Sequence, residues 1–412
     1  MSDERGEGAR RPGRLRRWSV RIGLALLAIA AALFATVWFA TVPLDRSALL
    51  GSPLARETER ALTEAWARTR RRGLERGPLR AGWAEAEFTP PPGTPTLGYG
   101  ARFARGAERV ADPLVVRALA VQAGSGAPVV LLGADLCLWT RELSDPIAAR
   151  LAGELPRERL LLGVTHTHGG PGRIARGPAL ELLFGRFDPA VADRIVTAAV
   201  QAVRGAIAAL APARWRELRR RDPAHIVNRA RHGVPLDDEL VLLEFVRGDG
   251  ARLGLVSYAA HATAISMWGE IVLSGDYPGA LCRALRRRGW AGAVFLAGPT
   301  GQAAPARGGK AVWERGTAGA YALGEEMAAE IDRWVRFDPT PWRDDVTIAV
   351  LRSPVALGPW RFRAPWRNRM VRPALAARLL GRPPQAFVHA LRLGDTVWIA
   401  HAFEYSAEQS RR

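Results

Sequence analysis

The sequence predicts an α/β fold, in which mixed β-sheets are flanked by helices and preceded by one N-terminal transmembrane helix. Short apolar runs typical of strands alternate with helical segments through most of the chain, which is the pattern of a layered α/β domain. A stretch of 21 residues without a charge (residues 22–42) comes before them. About 20 apolar residues are needed to span a bilayer as a helix.

The chain carries a formal charge of +19, and Lys310 is its only lysine. A nucleic-acid-binding protein usually mixes lysine with arginine and concentrates both on one face. Here the arginines are spread along the chain without a recognised nucleic-acid motif, so the sequence favours a coding bias toward arginine and predicts no nucleic-acid partner. The surplus charge would still attract anionic lipid head groups.

Residues 22–42 are predicted to anchor the protein in a membrane. Six arginines lie between Arg10 and Arg21, so the positive-inside rule places residues 1–21 in the cytoplasm and the chain after Pro43 in the periplasm or extracellular space. The alternative is a cleaved signal peptide, whose apolar region is normally about 7–15 residues long. The longer segment, with bulky Trp38 and Phe39 near its end, favours an uncleaved signal anchor.

The remaining chain divides into a charged linker and one α/β domain. Residues 43–80 have leucine and alanine at helical spacing and predict a juxtamembrane helix, and residues 81–412 form the domain. Strands are predicted at residues 114–122, 129–138, 160–164, 240–246, 253–258, 294–297 and 397–401, and helices at residues 146–153 and 190–210. Residues 338–386, rich in proline, arginine and tryptophan, predict either a surface loop with a short basic amphipathic helix at the membrane interface or an ordinary irregular connection.

Two histidines directly follow the predicted strand at residues 160–164. His166 and His168 lie in the run THTHGGPG, and in an extended segment residues i and i+2 point to the same face. The two imidazoles could therefore converge on one ligand, with the glycines behind them allowing a sharp turn. Histidine is the commonest metal ligand, but this spacing alone is not specific for a metal site. The alternative is therefore a pair of surface histidines.

Two further candidates also follow apolar runs. His261 lies in YAAHATAISMW and Glu404 follows TVWIA; a histidine there is more often a core residue, whereas a buried carboxylate needs a partner. Asp135 and Asp276 lie in turn-like settings, where capping and loop hydrogen bonds are the ordinary roles of an acid. A catalytic zinc typically has three protein ligands and one open position, and the set His166, His261 and Glu404 has that composition.

At this point the order of the motifs resembles the N-terminal catalytic domain of the neutral/alkaline non-lysosomal ceramidases. The matching stretches are AGWAEAEFTPPPGTPTLGYG (residues 81–100), DPLVVRALAV (112–121), VVLLGADL (129–136), THTHGGPG (165–172), VNRAR with PLDDELVLLEF (227–245), YAAHATAISMW with LSGDYPG (258–279) and LRLGDTVWIAHAFEYSAE (391–408). The resemblance runs from about Ala81 to Glu408.

The resemblance implies a zinc amidase that cleaves N-acylsphingosine. It implies that His166 and His261 are the zinc-ligating histidines and that Glu404 is the carboxylate ligand. It implies that His168 contacts the substrate or supports a ligand, and His168 is our catalytic candidate. Zinc lowers the pKa of a bound water to about 7 and polarises the carbonyl.

The sequence departs from the family at one catalytic segment. The family's Gly-Asp-x-Ser-Pro-Asn, whose serine lies at the catalytic centre, corresponds to GQAAPA at residues 301–306, so that Gln302 replaces the aspartate and Ala304 the serine. A tyrosine zinc ligand follows the family's glutamate by several tens of residues, whereas the printed sequence runs to Arg412. Tyr405 is adjacent to Glu404, but nothing in the sequence places it in the role of that tyrosine ligand.

Three functions therefore stay open at the level of sequence. The first is a membrane-anchored, zinc-dependent hydrolase of an amide or ester bond, acting on a membrane lipid or an N-acylated small molecule. The second is a catalytically degenerate relative that binds lipid or a protein partner at the membrane, which the loss of the serine supports. The third is an interaction protein driven by charge alone, which explains the arginines but not the ordered histidine motifs.

Overall fold

The computed structural model describes residues 13–47, 50–229, 236–313, 316–363, 368–381 and 385–404. The chain divides into two compact units. The first comprises Met1–Leu49 and Gly358–Pro383, and the second comprises Leu50–Leu357 and Pro384–Arg412. Tyr405 and Trp366 lie outside the described residues.

The helices of the described chain are α1 Gly13–Ala40, α2 Pro53–Arg72, α3 Arg141–Leu151, α4 Pro178–Phe184, α5 Pro189–Ala208, α6 Asp276–Arg287, α7 Ala318–Phe337 and α8 Pro373–Leu380. The strands are β1 Thr41–Pro43, β2 Glu75–Glu87, β3 Arg109–Val110, β4 Val115–Ala123, β5 Val129–Ala134, β6 Leu160–Val164, β7 Ala211–Arg221, β8 Ile226–Asn228, β9 Glu239–Arg247, β10 Arg252–Tyr258, β11 Val272–Leu273, β12 Gly292–Ala297, β13 Ala303–Arg307, β14 Lys310–Ala311, β15 Asp345–Val355, β16 Arg369–Val371, β17 Ala386–Leu393 and β18 Thr396–His401.

The first unit is built on helix α1. Its part from Trp18 to Ala40 has 23 residues and a mean hydropathy of 2.4, and none of it is buried against the rest of the protein. By length and composition this helix could cross a membrane, which confirms an N-terminal helix of spanning length. Directly after α1, strand β1 pairs antiparallel with β16, so that Thr41 lies opposite Val371.

The second unit has four layers, helix–sheet–sheet–helix. Both sheet layers belong to one eleven-stranded sheet in which β2 pairs with β4, β7 and β15. From β2, strands β4, β5 and β6 form one layer, β7, β9, β10 and β12 form the facing layer, and β15 leads to β17 and β18. Strands such as β5 have apolar side chains on both faces, because both faces are covered by other parts of the protein. Leu119, Leu131, Leu243 and Val294 fill the space between the sheets, and this confirms the predicted mixed sheets flanked by helices.

Helices cover the outer face of each sheet. On one side α3 and α5 pack on alternate residues of β4 and β5, including Ala118, Ala120 and Val130. On the other side α6 and α7 pack on β9, β10 and β12 through residues such as Leu242 and Phe295. Loops that leave the strand ends therefore meet at one edge of this double layer, where ligand sites of layered α/β folds commonly lie.

Several elements differ from the sequence prediction. Helix α3 starts at Arg141, five residues before the predicted start, because Pro146 is accommodated inside the helix. The prediction of an irregular segment at residues 338–386 is wrong for Asp345–Val355, which is strand β15, paired with β2 and β17. Its alternate residues Val346, Ile348 and Val350 are buried, a period-two pattern that the surrounding arginines and prolines obscured. A short helix, α8, does occur in this stretch.

A buried histidine links the turn between β7 and β8 to helix α7. The Nδ1 atom of His225 lies 2.8 and 2.9 Å from the two carboxylate oxygens of Asp222. Its Nε2 lies 3.4 Å from Glu326 and 4.0 Å from Glu330. Burial acts to lower the pKa of His225, but Asp222 and the two glutamates outweigh it, and the pKa is raised above 6.5. The folded state thus favours the imidazolium.

The stability that His225 contributes should depend on pH. Because its pKa is raised on folding, the contribution is fully present below the unfolded value of 6.5 and is lost as the pH rises through the folded value. We expect the difference in unfolding free energy between the wild type and His225→Gln, from urea titrations, to shrink as the pH rises from about 6 to about 9.

His389→Gln is the matched control for this prediction. Burial lowers the pKa of His389 to about 4, so this histidine is neutral in the folded protein throughout that pH range. The unfolded imidazole still binds a proton near its ordinary pKa of 6.5, so the difference between the wild type and His389→Gln should grow as the pH rises through about 6.5 and then stay level, opposite in direction to that of His225. A His225 difference that changes in the same direction as that of His389 would contradict the assignment of a buried imidazolium.

Candidate metal centre

The three candidate ligands follow strands of the second unit, and the loop after β6 is held in place by hydrogen bonds. The hydroxyl of Thr167 donates to the carbonyl of Ser274 over 2.8 Å, and the amide of Ser274 donates to the carbonyl of Gly169 over 3.1 Å. The amide of His168 donates to the carbonyl of Ala262 over 3.3 Å. The histidine loop is therefore fixed against the loop that carries His261.

His166 has a left-handed backbone, with φ of +61°. The expectation that His166 and His168 point to one face of an extended strand is therefore wrong, although both side chains do reach the same site. A non-glycine residue in this region is uncommon and is held by its surroundings. Here the Nδ1 atom of His166 lies 2.6 Å from the carbonyl oxygen of Cys137, so Nδ1 donates and leaves Nε2 facing the site.

His166, His261 and Glu404 converge at one point. The Nε2 atom of His166 lies 3.7 Å from one carboxylate oxygen of Glu404, and the Nδ1 atom of His261 lies 3.6 Å from the other. All three ligand atoms lie within 4.8 Å of one another. The predicted set is thus brought together from loops that are far apart in the sequence.

The separations fit a metal ion better than direct hydrogen bonds. Both histidine nitrogens are buried and have no hydrogen-bond partner among the described residues, which is costly unless something else satisfies them. Zinc–nitrogen and zinc–oxygen bonds of about 2.0–2.2 Å in a tetrahedron put neighbouring ligand atoms about 3.3–3.6 Å apart. The observed 3.6 and 3.7 Å match that spacing closely, and the donors are ones that zinc accepts.

His168 lies behind this group, against His261. The two Nε2 atoms are 3.0 Å apart, so one imidazole donates to the other and fixes its orientation. The ring of Tyr99 packs edge-on against His168 with centroids 4.5 Å apart, and the Tyr99 hydroxyl donates to the carbonyl of Ile265 over 3.0 Å. A ligand histidine commonly has such a partner on its other nitrogen.

The three histidines of the site differ in pKa. Burial acts to lower the pKa of His166, but Cys137 and Glu404 outweigh it, and the pKa rises to about 10. Burial, followed by the charge on His166, lowers the pKa of His168 to about 3 and that of His261 further still. Pairing with His166 lowers the pKa of Glu404. Without a cation the site thus pairs an imidazolium with a carboxylate, and a metal would displace the His166 proton.

The other two acids singled out in the sequence have structural roles. Asp135 is fully buried and binds Arg117 through both carboxylate oxygens, at 2.9 and 3.0 Å. Asp276, also buried, accepts from the amides of Ile265 and Tyr277. Burial raises the pKa of Asp276 to about 6. Both acids therefore hold loops, as the ordinary interpretation of turn-like acids predicts.

Arg229 also lies at the site, although no sequence pattern by itself predicts a role for it. Its guanidinium lies 3.7 Å from Glu404 and donates to the carbonyl of Gly301 over 3.2 Å. Its amide donates to the carbonyl of Gln302 over 2.9 Å. The available signal was its place in VNRAR, one of the stretches that resemble the ceramidases. Ala304 is fully buried on β13, opposite Val227 of β8.

The fold and the converging side chains together describe a layered α/β protein with a candidate metal centre at the strand ends. The chain matches no protein-family model and no curated protein. Among solved structures, it is similar to the neutral ceramidase from Pseudomonas aeruginosa, with a TM-score of 0.64, 18% sequence identity, 78% of this chain covered and 62% of that one.

A second solved structure, a ceramidase complexed with C2, has a TM-score of 0.65 and 16% identity, covering 78% of this chain and 63% of that one. The chain thus has the fold of the neutral ceramidases, which confirms the resemblance at the level of fold. It spans about three-fifths of the length of either structure.

Gly98 determines how closely the loop that carries Tyr99 approaches His168. A Cβ at Gly98 would lie 2.4 Å from the His168 ring, and its φ of +122° disfavours other residues. We expect Gly98→Ala to lower the unfolding free energy by about 1–3 kcal/mol for the backbone strain and by about 1–3 kcal/mol more for the clash, measured by urea unfolding.

Gly93→Ala is the matched control. Gly93 also has a positive φ, of +85°, but a Cβ there meets nothing within 4 Å. This variant should therefore show the strain without the clash. Equal losses in the two variants would contradict the tight packing of His168.

Proposed function

We propose that the protein is a membrane-anchored, zinc-dependent hydrolase that cleaves the amide bond of an N-acylated, ceramide-like lipid, or a related ester bond. The observation that carries the proposal is the convergence of His166, His261 and Glu404, where two buried histidine nitrogens have no hydrogen-bond partner in the part of the chain that the structure describes. This ligand set leaves a coordination position open, as catalytic zinc sites do.

The residues of the chain would have distinct roles. His166 and His261 would hold the ion through Nε2 and Nδ1, and Glu404 through its carboxylate. A bound zinc ion would lower the pKa of its water to about 7 and polarise the carbonyl of the substrate. His168 would position His261 and take part in proton transfer. Arg229 adds a positive charge 3.7 Å from Glu404, near where negative charge develops as the carbonyl is attacked.

Two observations support a lipid substrate. Two solved structures with this fold are ceramidases. In addition, helix α1 would anchor the chain in a bilayer, with the N-terminus in the cytoplasm and the second unit in the periplasm or outside the cell, as the arginines before residue 22 favour.

A binding protein without catalysis is the second candidate function. The observation that favours it is Ala304, which stands where the resemblance places a catalytic serine and which is fully buried. An alanine can neither attack nor donate a hydrogen bond. Zinc hydrolases that attack with water need no serine, so the two functions differ in whether a zinc-loaded protein turns over substrate.

The zinc site itself is tested by metal content. We expect the purified full chain, in detergent, to contain about one zinc per chain by elemental analysis, the count for a single mononuclear site. His166→Gln/His261→Gln should abolish it, because two of three ligands are lost. The control variant His389→Gln, which replaces a buried histidine of another strand, should keep its zinc. A folded wild type without zinc would contradict the proposed metal centre.

Hydrolysis is tested on the zinc-loaded protein with matched fluorescent N-acyl and ester lipids. We expect turnover that a chelator abolishes and zinc restores. His168→Gln should lower kcat/KM about 10–100-fold, the usual loss when the partner of a ligand is removed, while Glu181→Gln, on the surface helix α4, should have no effect. Zinc binding without turnover of either lipid would favour the binding protein.

A further inference from the structure

The outer end of helix α1 is capped by arginines from a distant part of the chain. The last carbonyls of a helix have no partner within the helix and carry partial negative charge. Arg372 donates from its amide to the carbonyl of Ala40 over 2.9 Å and from Nε to that of Phe39 over 3.0 Å. Arg369 donates to the carbonyl of Trp38 over 3.3 Å. The last turn of α1 has no basic residue of its own.

These arginines belong to a segment that we call the collar, which comprises residues 358–363 and 368–381. It is fixed to the helix end by more than the two caps. The Nε of Arg369 donates to the Thr41 hydroxyl over 2.7 Å, and its guanidinium lies over the Trp38 ring, 4.3 Å from the centroid. Strands β1 and β16 pair over three residues. The collar therefore stays beside the last turn of α1.

The length of α1 sets the depth of the collar. The candidate span of 23 residues is about 34 Å long at 1.5 Å per residue, slightly more than the hydrocarbon thickness of about 30 Å. Trp38 and the collar would then lie at the level of the lipid head groups, where tryptophan is enriched.

The collar has the composition of a surface that binds anionic lipid. The collar contains five arginines and no acidic residue. Arg361 pairs with Asp45 at 2.7 Å, whereas Arg363 and Arg378 are exposed. Phe362 and Leu379, each 43% exposed, provide apolar side chains beside them. Basic residues interleaved with exposed apolar ones suit the boundary between head groups and acyl chains.

We propose that the collar binds anionic phospholipid head groups around the outer end of α1, with Arg363 and Arg378 as the contacting cations. Arg369 and Arg372 position the collar, and the lipid phosphates neutralise the charges of Arg363 and Arg378. The proposal rests on α1 crossing the membrane, which is part of the proposed function, but not on zinc or hydrolysis.

The test uses the full chain in liposomes with a fluorophore at Leu379→Cys, since both native cysteines, Cys137 and Cys282, are buried. Resistance of the incorporated protein to alkaline carbonate is measured first. Quenching is then compared between phosphatidylglycerol and phosphatidylcholine that carry a nitroxide at the same shallow acyl position. The local reporter separates the effect of the collar from that of the arginines up to Arg21, which belong to the N-terminal side of helix α1.

We expect both lipids to quench the reporter, with phosphatidylglycerol several-fold more effective at low salt and less so at high salt. In Arg363→Gln/Arg378→Gln the ratio should approach one. The matched control Arg186→Gln/Arg194→Gln, which removes two exposed arginines of the second unit, should keep the wild-type ratio.

Each opposite outcome overturns the proposal in its own way. Loss of the protein on carbonate extraction would contradict the membrane-spanning role of α1 on which the proposal rests. Absence of quenching in carbonate-resistant protein would place the collar away from the bilayer. Equal quenching by both lipids in the wild type would leave contact without charge selectivity. An equal loss of selectivity in the control would assign the effect to net charge rather than to the collar.

Discussion

The close approach of the two sheets in the second unit is the constraint on which the candidate site depends. Where β5 and β6 face β12, only glycine fits: a Cβ on Gly133 would lie 2.7 Å from the carbonyl of Phe295, and one on Gly163 would lie 2.5 Å from the Leu296 side chain. Because the strands approach this closely, the loops that leave β6, β10 and β12 share one edge. Gly298, after β12, donates to the carbonyl of Tyr258 at the end of β10 over 2.9 Å.

The sequence could indicate the candidate ligands but not how they meet. His166, His261 and Glu404 each follow an apolar run, and that pattern is local. The distances between them depend on the stacking of the sheets, which no local pattern records. The left-handed backbone of His166 and the contact of Arg229 with Glu404 are long-range consequences of the same kind, whereas the position of Arg229 in a family-like motif was visible.

The strand predictions succeeded and failed for one physical reason. β5 and β12 are apolar throughout and almost wholly buried, so their sequences stand out. β7 has arginines on both faces, and the buried face of β15 also carries Arg352 and Pro354, so the composition of these strands conceals the alternation. Some arginines are internal: Arg117 and Arg216 bind buried Asp135 and Glu244. Each of these pairs is neutral, so the net charge of +19 comes from other arginines.

Glu404 and His166 are far apart in the sequence of the second unit, since His166 follows β6 and Glu404 follows β18. Contacts between residues so far apart form late, since a long loop must close before they are made. The three side chains can therefore converge only after β17 and β18 have joined the sheet. A cation held there would bridge the loop after β6 and the hairpin of β17 and β18, so its dissociation would depend on the opening of that hairpin as well as on exchange at the three ligands.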